Sequence, residues 1–181
     1  MESGSECWNI LPTTRIWKTD SWIVPSFGRI PARQGLKKNG SQAEQALGRS
    51  RGGFSTKIHI TVDGLGNPLR LCLTGGQRHD ITQAPALLDG FAFEHVIADR
   101  SYGAQDFIAL VVQSGAQVVI PPRQNAQQPR DYDHWVYRER HLIECFINKI
   151  KQFRRVFSRF DKLARRYLGF LQLTSTLVWL R

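Results

Sequence analysis

The clearest pattern along the chain starts at Phe54. In FSTKIHITVD, Phe54, Thr56, Ile58 and Ile60 fall on one side and Ser55, Lys57, His59 and Thr61 on the other, which predicts a half-buried strand. Gly64-Leu65-Gly66-Asn67-Pro68 supplies a turn, and Leu69 to Thr74 a returning strand. Gln83 to Leu88 reads as a short helix, HVIA from His95 as a short buried strand and Gly103 to Gln113 as a helix. AQVVI before Pro121-Pro122 is another strand. Two strands followed by alternating helix and strand imply a mixed α/β sheet with an antiparallel hairpin at one side. In such sheets a site is expected at the carboxyl ends of the parallel strands.

Further along, the period changes to that of a helix. With Tyr137 at 0° and about 100° per residue, Arg140 lies near −60°, Glu144 near −20° and Lys151 near −40°. Leu142, Ile143, Phe146, Ile147, Ile150, Phe153 and Phe157 fall on the opposite side, so this helix buries one face and presents the other. The polar row is about 21 Å long, too long to grip one phosphate but suited to a track along DNA. The closing run YLGFLQLTSTLVWLR is apolar on most sides and is expected to pack as a helix against the sheet.

Neither period is sustained over residues 1–36, where Trp8, Trp17, Trp22, Pro12, Pro25 and Pro31 are scattered; this segment is expected to be irregular and disordered. Residues 37–53, polar and glycine-rich, read as a linker, and 54–181 as the folded part of a single domain. No apolar stretch suits a membrane span and no secretory signal begins the chain, so a cytoplasmic protein without a membrane partner is expected. Cys7, Cys72 and Cys145 form no C-x-x-C pair and suggest neither a disulfide framework nor a zinc site.

The net charge of +10 favours a polyanionic partner, nucleic acid first among them. Most of it is concentrated between Arg138 and Arg181, where eleven Lys and Arg stand against Glu139, Glu144 and Asp161. Taken alone, this run fits a solvated helix face as well as a nucleic-acid surface.

Two carboxylates stand out as chemistry. Asp99, in VIADRSYGAQDF, lies where an apolar strand ends and would project into a crevice, good geometry for a metal ligand; a turn or N-cap aspartate is the structural alternative. Glu144 amid Arg140 and Lys151 suits phosphodiester chemistry, the acid holding a divalent cation and the bases the flanking phosphates. Arg78, His79 and Asp80 could reach the same crevice, although Asp80 reads better as the N-cap of the next helix.

These residues coincide with a family pattern. Tyr137, Arg140, Glu144 and Lys151 stand at Y-x2-R-x3-E-x6-K, which resembles the third catalytic block of many insertion-sequence transposases of the DDE type. ADRSYGAQDF resembles their second block, A-D-x-G-Y-x-x-x-x-F, and GRSRGGFSTKIHITVDGLGNPLRLCLTGGQRHD the stretch before it. The likeness covers Lys37 to Arg181 and is nearest to the insertion sequence five group. It implies an RNase H-like fold in which two aspartates and a glutamate bind two divalent metals, Mg²⁺ or Mn²⁺, and cut or join DNA at the element ends. It further implies that Asp99 and Glu144 are the second and third catalytic, metal-binding acids, and that Tyr137, Arg140, Lys151, Arg154 and Arg155 contact DNA. The partners implied are insertion-sequence ends, target DNA and full-length transposase subunits. A basic DNA-binding module without catalytic ancestry is the alternative, and gives Asp99 no special role.

The first acid departs from the pattern, leaving the fold incomplete at its N-terminal strand. The family places that acid shortly before the linker, in a run like D-S-x-x-V-R-A-H, and none is present; Asp20 is a weak imitation and Asp63 belongs to the hairpin turn. Synonymous codons for residues 23–36 can be chosen so that another reading frame spells S-S-I-V-R-A-H-P-C-A-A-G, preceded by an Asp codon. Residues 1–36 are therefore expected to be the product of a shifted frame joined to an authentic remainder, and the chain to be an inactive carboxy-terminal part.

Overall fold

The computed structural model describes residues 7–9, 22–32, 45–50, 53–123 and 129–180, with the backbone alone for 7–9 and 22–28. The alternating segment forms β4 (Gly53–Val62), joined by the Asp63–Asn67 turn to β5 (Pro68–Gly75) in an antiparallel hairpin. The Asp63 carboxylate holds that turn by accepting from the backbone N–H groups of Leu65 (2.9 Å) and Asn67 (2.8 Å), while Gly66 takes φ +82°. Asp63 is thus committed to turn formation, as its place in the sequence suggested.

Two strands lie in the stretch expected to be irregular. β1 (Cys7–Asn9) pairs with the outer edge of β5, and β2 (Trp22–Pro31) pairs antiparallel with β4 along eight residues. On its other side β2 pairs parallel with β6 (His95–Ile97), and β6 in turn with β7 (Gln117–Val119). The sheet runs β1-β5-β4-β2-β6-β7, and β3 (Gly48–Ser50) pairs with the start of β4. The expectation of a missing N-terminal strand is therefore corrected, since a central strand stands between hairpin and parallel pair. Pro25 argued against it because proline breaks a ladder on one side. The parallel ladder to β6 joins Trp22–His95 and Ile23–Val96 and stops before Pro25, which accommodates the missing donor.

Alternation along β6 and β7 sends side chains to two cores. Ile97 and Val119 join Ile58, Ile60, Leu71 and Leu73 under α4 (His141–Lys151) and α6 (Ala164–Trp179). Val96, Ala98, Val118 and Ile120 pack with α1 (Ala84–Leu88) and α2 (Gln105–Gln113) on the other face. The result is a three-layer α/β arrangement. The closing apolar run packs as α6, as expected, against β5 and α4. No helix among the described residues is long and apolar enough to cross a membrane.

β4 is buried on both faces, not half-buried. The segment from Gly75 to Leu88 covers its polar side, where Lys57, His59 and Thr61 are all enclosed. A Cβ on Gly76 would collide with Ser55, so glycine lets this segment lie close to the sheet. Cys72 is fully buried and disulfide-bonded, a correction to the reading of isolated cysteines; its cross-strand neighbour is Cys7, far away in sequence but opposite it in register. Cys145 is free and exposed.

Candidate active site

Asp99 follows the buried strand β6 and Ala98, so the hydrophobic run delivers it to the carboxyl edge of the sheet. It caps the 3-10 turn Arg100–Tyr102: its Oδ1 accepts from the Ser101 N–H at 2.8 Å and from the Ser101 hydroxyl. The turn-capping role, given above as the structural alternative, is therefore the one observed, and Oδ2 carries no hydrogen bond among the described residues. Tyr102, wholly buried beneath it, has its phenol pushed far up by burial, then by Asp80 and Asp99. Its hydroxyl has no hydrogen-bond partner among the described residues.

The second acid rides on a helical segment in three parts: α3 (His134–Tyr137), a 3-10 turn (Arg138–Arg140) and α4. Asp133 starts it by accepting from the N–H groups of Trp135 (2.8 Å) and Val136 (3.0 Å). A 3-10 turn advances about 120° per residue instead of about 100°, which brings Tyr137, Arg140, Glu144 and Lys151 within roughly 40° of one line. Ile143, Phe146, Ile147 and Ile150 form the buried back of α4. The helix ends at Lys151, so Phe153 is only half-buried and Phe157 is 54% exposed; Val156 on α5 (Arg154–Phe157) takes the core position instead.

Glu144 is exposed and accepts from the Arg140 guanidinium four residues earlier. Tyr137 links the two blocks. Its phenol is raised by burial, opposed by Arg140, raised further by Asp99 and Tyr132, and lowered by Arg100. Asp99, Arg100 and Arg140 thus all act on the Tyr137 phenol, and Glu144 is paired with Arg140. Lys151 lies half-buried at the far end of the row. Arg154 and Arg155 lie beyond it, over the rings of Phe160 at 5.9 Å and Phe170 at 4.4 Å.

Two expected features are placed differently. Asp80 is not an N-cap: His79 occupies that position without a side-chain bond, and Asp80 forms a partly buried ion pair with Lys57 at 2.7 Å. Arg78 and His79 are exposed. Arg159, counted with the basic surface, is 1% exposed and donates to the Ala46, Asp161 and Lys162 carbonyls and to Thr56 Oγ1. Burial lowers its guanidinium to a pKa of about 10 despite the opposing influence of Tyr167 and Asp161. Periodicity could not single it out, because nothing in SRFDK distinguishes a buried arginine from its solvated neighbours.

Asp99 and Glu144 offer hard oxygen donors of the kind a divalent cation takes. Among the described residues, no three His, Cys, Asp or Glu side chains gather as a potential ion site. The described residues therefore do not supply the donor set of a two-metal centre. Asp20 lies outside the described residues.

Residues 29–179 match the family described as "Transposase DDE domain". A Brucella ovis protein named as a transposase for insertion sequence element IS6501 is 40% identical over 132 residues, which are 71% of this chain and 100% of that relative.

Proposed function

Because the chain belongs to the transposase DDE domain family, we propose that it is the remnant of a DNA transposase from a bacterial insertion sequence of the insertion sequence five group, retaining Asp99 and Glu144 but not the first acid. In this reading the domain is RNase H-like, a fold consistent with an antiparallel trio β5-β4-β2 continued by the parallel strands β6 and β7. The chain binds DNA in the cytoplasm through Tyr137, Arg140, Lys151, Arg154 and Arg155, and pairs with full-length transposase subunits when these are present.

One observation carries the reading. β2 lies beside β6, the strand that leads to Asp99, yet its sequence WIVPSFGRIP contains no Asp or Glu. Ile23 pairs with Val96, and three residues further on the strands reach Ser26 and Asp99. The family match begins at residue 29, inside β2, so residues 29–36 match the family although they belong to the segment expected to be out of frame, and support for a shifted frame rests on the residues before 29. A strand needs only backbone partners and apolar content, so an out-of-frame segment can fill the place of β2 without supplying its chemistry.

In the intact family a divalent cation, Mg²⁺ or Mn²⁺, activates the attacking oxygen and stabilises the leaving one. In this chain Asp99 is fixed by Ser101 and Glu144 is held by Arg140, and the charges of Arg100 and Arg140 both act on Tyr137. That arrangement can hold a phosphodiester.

Sequencing the coding DNA tests the frame proposal: an upstream frame encoding D-S-S-I-V-R-A-H is expected, and its absence would reject it. A gel-shift experiment with a Mg²⁺-dependent nicking assay tests the remnant proposal. Salt-sensitive DNA retention without nicking is expected; nicking abolished by Glu144→Gln would show an active enzyme.

A further inference from the structure

The chain has three cysteines, Cys7, Cys72 and Cys145. Cys145 is free and exposed, whereas Cys72 is disulfide-bonded, which leaves Cys7 as its partner. Strand pairing leads to the same residue, because the register of β1 on β5 sets Cys7 opposite Cys72. Opposed residues of an antiparallel pair have Cα atoms about 4.5 to 5.5 Å apart, within the roughly 4.4 to 6.8 Å that a disulfide spans. The family match starts at residue 29, so Cys72 falls inside it and Cys7 outside. The bond therefore ties a segment beyond the family match to a strand within it.

β1 has little else to hold it. It is three residues long, stands at the end of the strand order and pairs with β5 alone among the described residues. An ordinary strand has about 5 or 6 residues, and a ladder shorter than that opens readily unless something ties it down. Cys72, by contrast, lies between Leu71 and Leu73 in β5 with no exposed surface. One end of the bond is thus rooted in the core and the other in a short edge strand.

We propose that the bond between Cys7 and Cys72 is a redox-operated clip, which holds β1 on the sheet when oxidised and lets it leave when reduced. The chemistry is a two-electron exchange with a dithiol. One thiolate of the reductant attacks the disulfide, forming a mixed disulfide and releasing one cysteine as thiolate; the second thiolate of the reductant then displaces the other cysteine. Each cysteine takes up a proton, and the reductant ends as its own disulfide. Where thiols are kept reduced, a protein disulfide is transient and reports the redox state. Loss of β1 uncovers the outer edge of β5 at Arg70–Cys72, opening its backbone N–H and C=O groups to solvent. β4 and β2 separate β5 from β6, the strand that leads to Asp99, so the clip acts on the sheet edge and is independent of the DNA-binding reading.

The wild type, Cys7→Ser and Cys145→Ser, each air-oxidised and each treated with dithiothreitol, are compared by thiol counting in denaturant, thermal unfolding and amide hydrogen exchange. The oxidised wild type is expected to show one free thiol, that of Cys145, and the reduced form all three. Reduction should lower the unfolding midpoint by roughly 4 to 16 °C, the range for loss of one disulfide from a domain of this size. Exchange should rise in the peptides that include Cys7–Asn9 and Arg70–Cys72, and much less in those of β6 and α2. Cys7→Ser should match the reduced wild type with or without dithiothreitol, and Cys145→Ser should respond as the wild type does. Three free thiols in the oxidised wild type, or equal midpoints and exchange in the two states, would overturn the proposal. A lower midpoint with unchanged exchange at β1 would make the bond a static staple and overturn the switch.

Discussion

Lowering the pH should destabilise this protein through one residue, His59. It is enclosed on the polar face of β4, with Nε2 2.7 Å from Thr74 Oγ1 and Nδ1 without a partner among the described residues. Burial first, and then the Lys57 ammonium, lower its pKa from 6.5 to about 4. The folded state therefore keeps His59 neutral in a range where the unfolded chain protonates it. Between pH 6.5 and about 4 the unfolded state binds more protons, so stability is fully present above 6.5, falls as the pH drops and levels off below about 4. The loss is about 2 kcal/mol by pH 5 and approaches about 3 kcal/mol at the lower limit. With a urea slope of about 2 kcal/mol/M, the midpoint should move by about 1 M between pH 8 and pH 5. Urea titrations of the wild type and His59→Gln at pH 8, 6.5, 5.5 and 5 isolate the effect, since other titrating groups act on both. The variant will start from a lower stability, but its curve should be flatter by that amount. Parallel pH curves for the two proteins would refute the reasoning.

Arg159→Met should destabilise the fold by about 3 kcal/mol, because it strands the carbonyls that the guanidinium now satisfies; a thermal midpoint lowered by roughly 6 to 12 °C would register it. Glu144→Gln, by contrast, touches a partly exposed i,i+4 pair and should cost under about 1 kcal/mol in the same experiment. Replacing Arg140 and Lys151 together by Gln should lower the slope of log affinity against log salt by about 2 and weaken binding alike on all DNA sequences, as fluorescence anisotropy at several salt concentrations would show.

The parts legible from sequence were those written in a period. The hairpin turn, the row from Tyr137 to Lys151 and the delivery of Asp99 by a buried strand all follow from local spacing, and the structure reproduces them. β2 was not legible because W-I-V-P-S-F-G-R-I-P has two prolines and no alternation; its position is dictated by the open edges of β4 and β6, not by its own pattern. Lys57, His59 and Asp80 show a different limit. Alternation along β4 identifies a polar face but not whether the chain later folds over it, so an ion pair between residues far apart in sequence looked like a solvated lysine and a helix cap. The same applies to Arg159, whose burial depends on Ala46 and Thr56 approaching from the other end of the domain.

The central claim is that β2 brings a strand but no acid to the side of Asp99. It is tested most directly by incubating the chain with Mg²⁺ and a supercoiled plasmid carrying the element and its flanking DNA, beside a version in which residues 23–35 are replaced by D-S-S-I-V-R-A-H-P-C-A-A-G. The account predicts that the chain binds the plasmid without nicking it, that the replaced version nicks it, and that Glu144→Gln in that version abolishes nicking. Nicking by the unaltered chain, lost on Glu144→Gln, would contradict it.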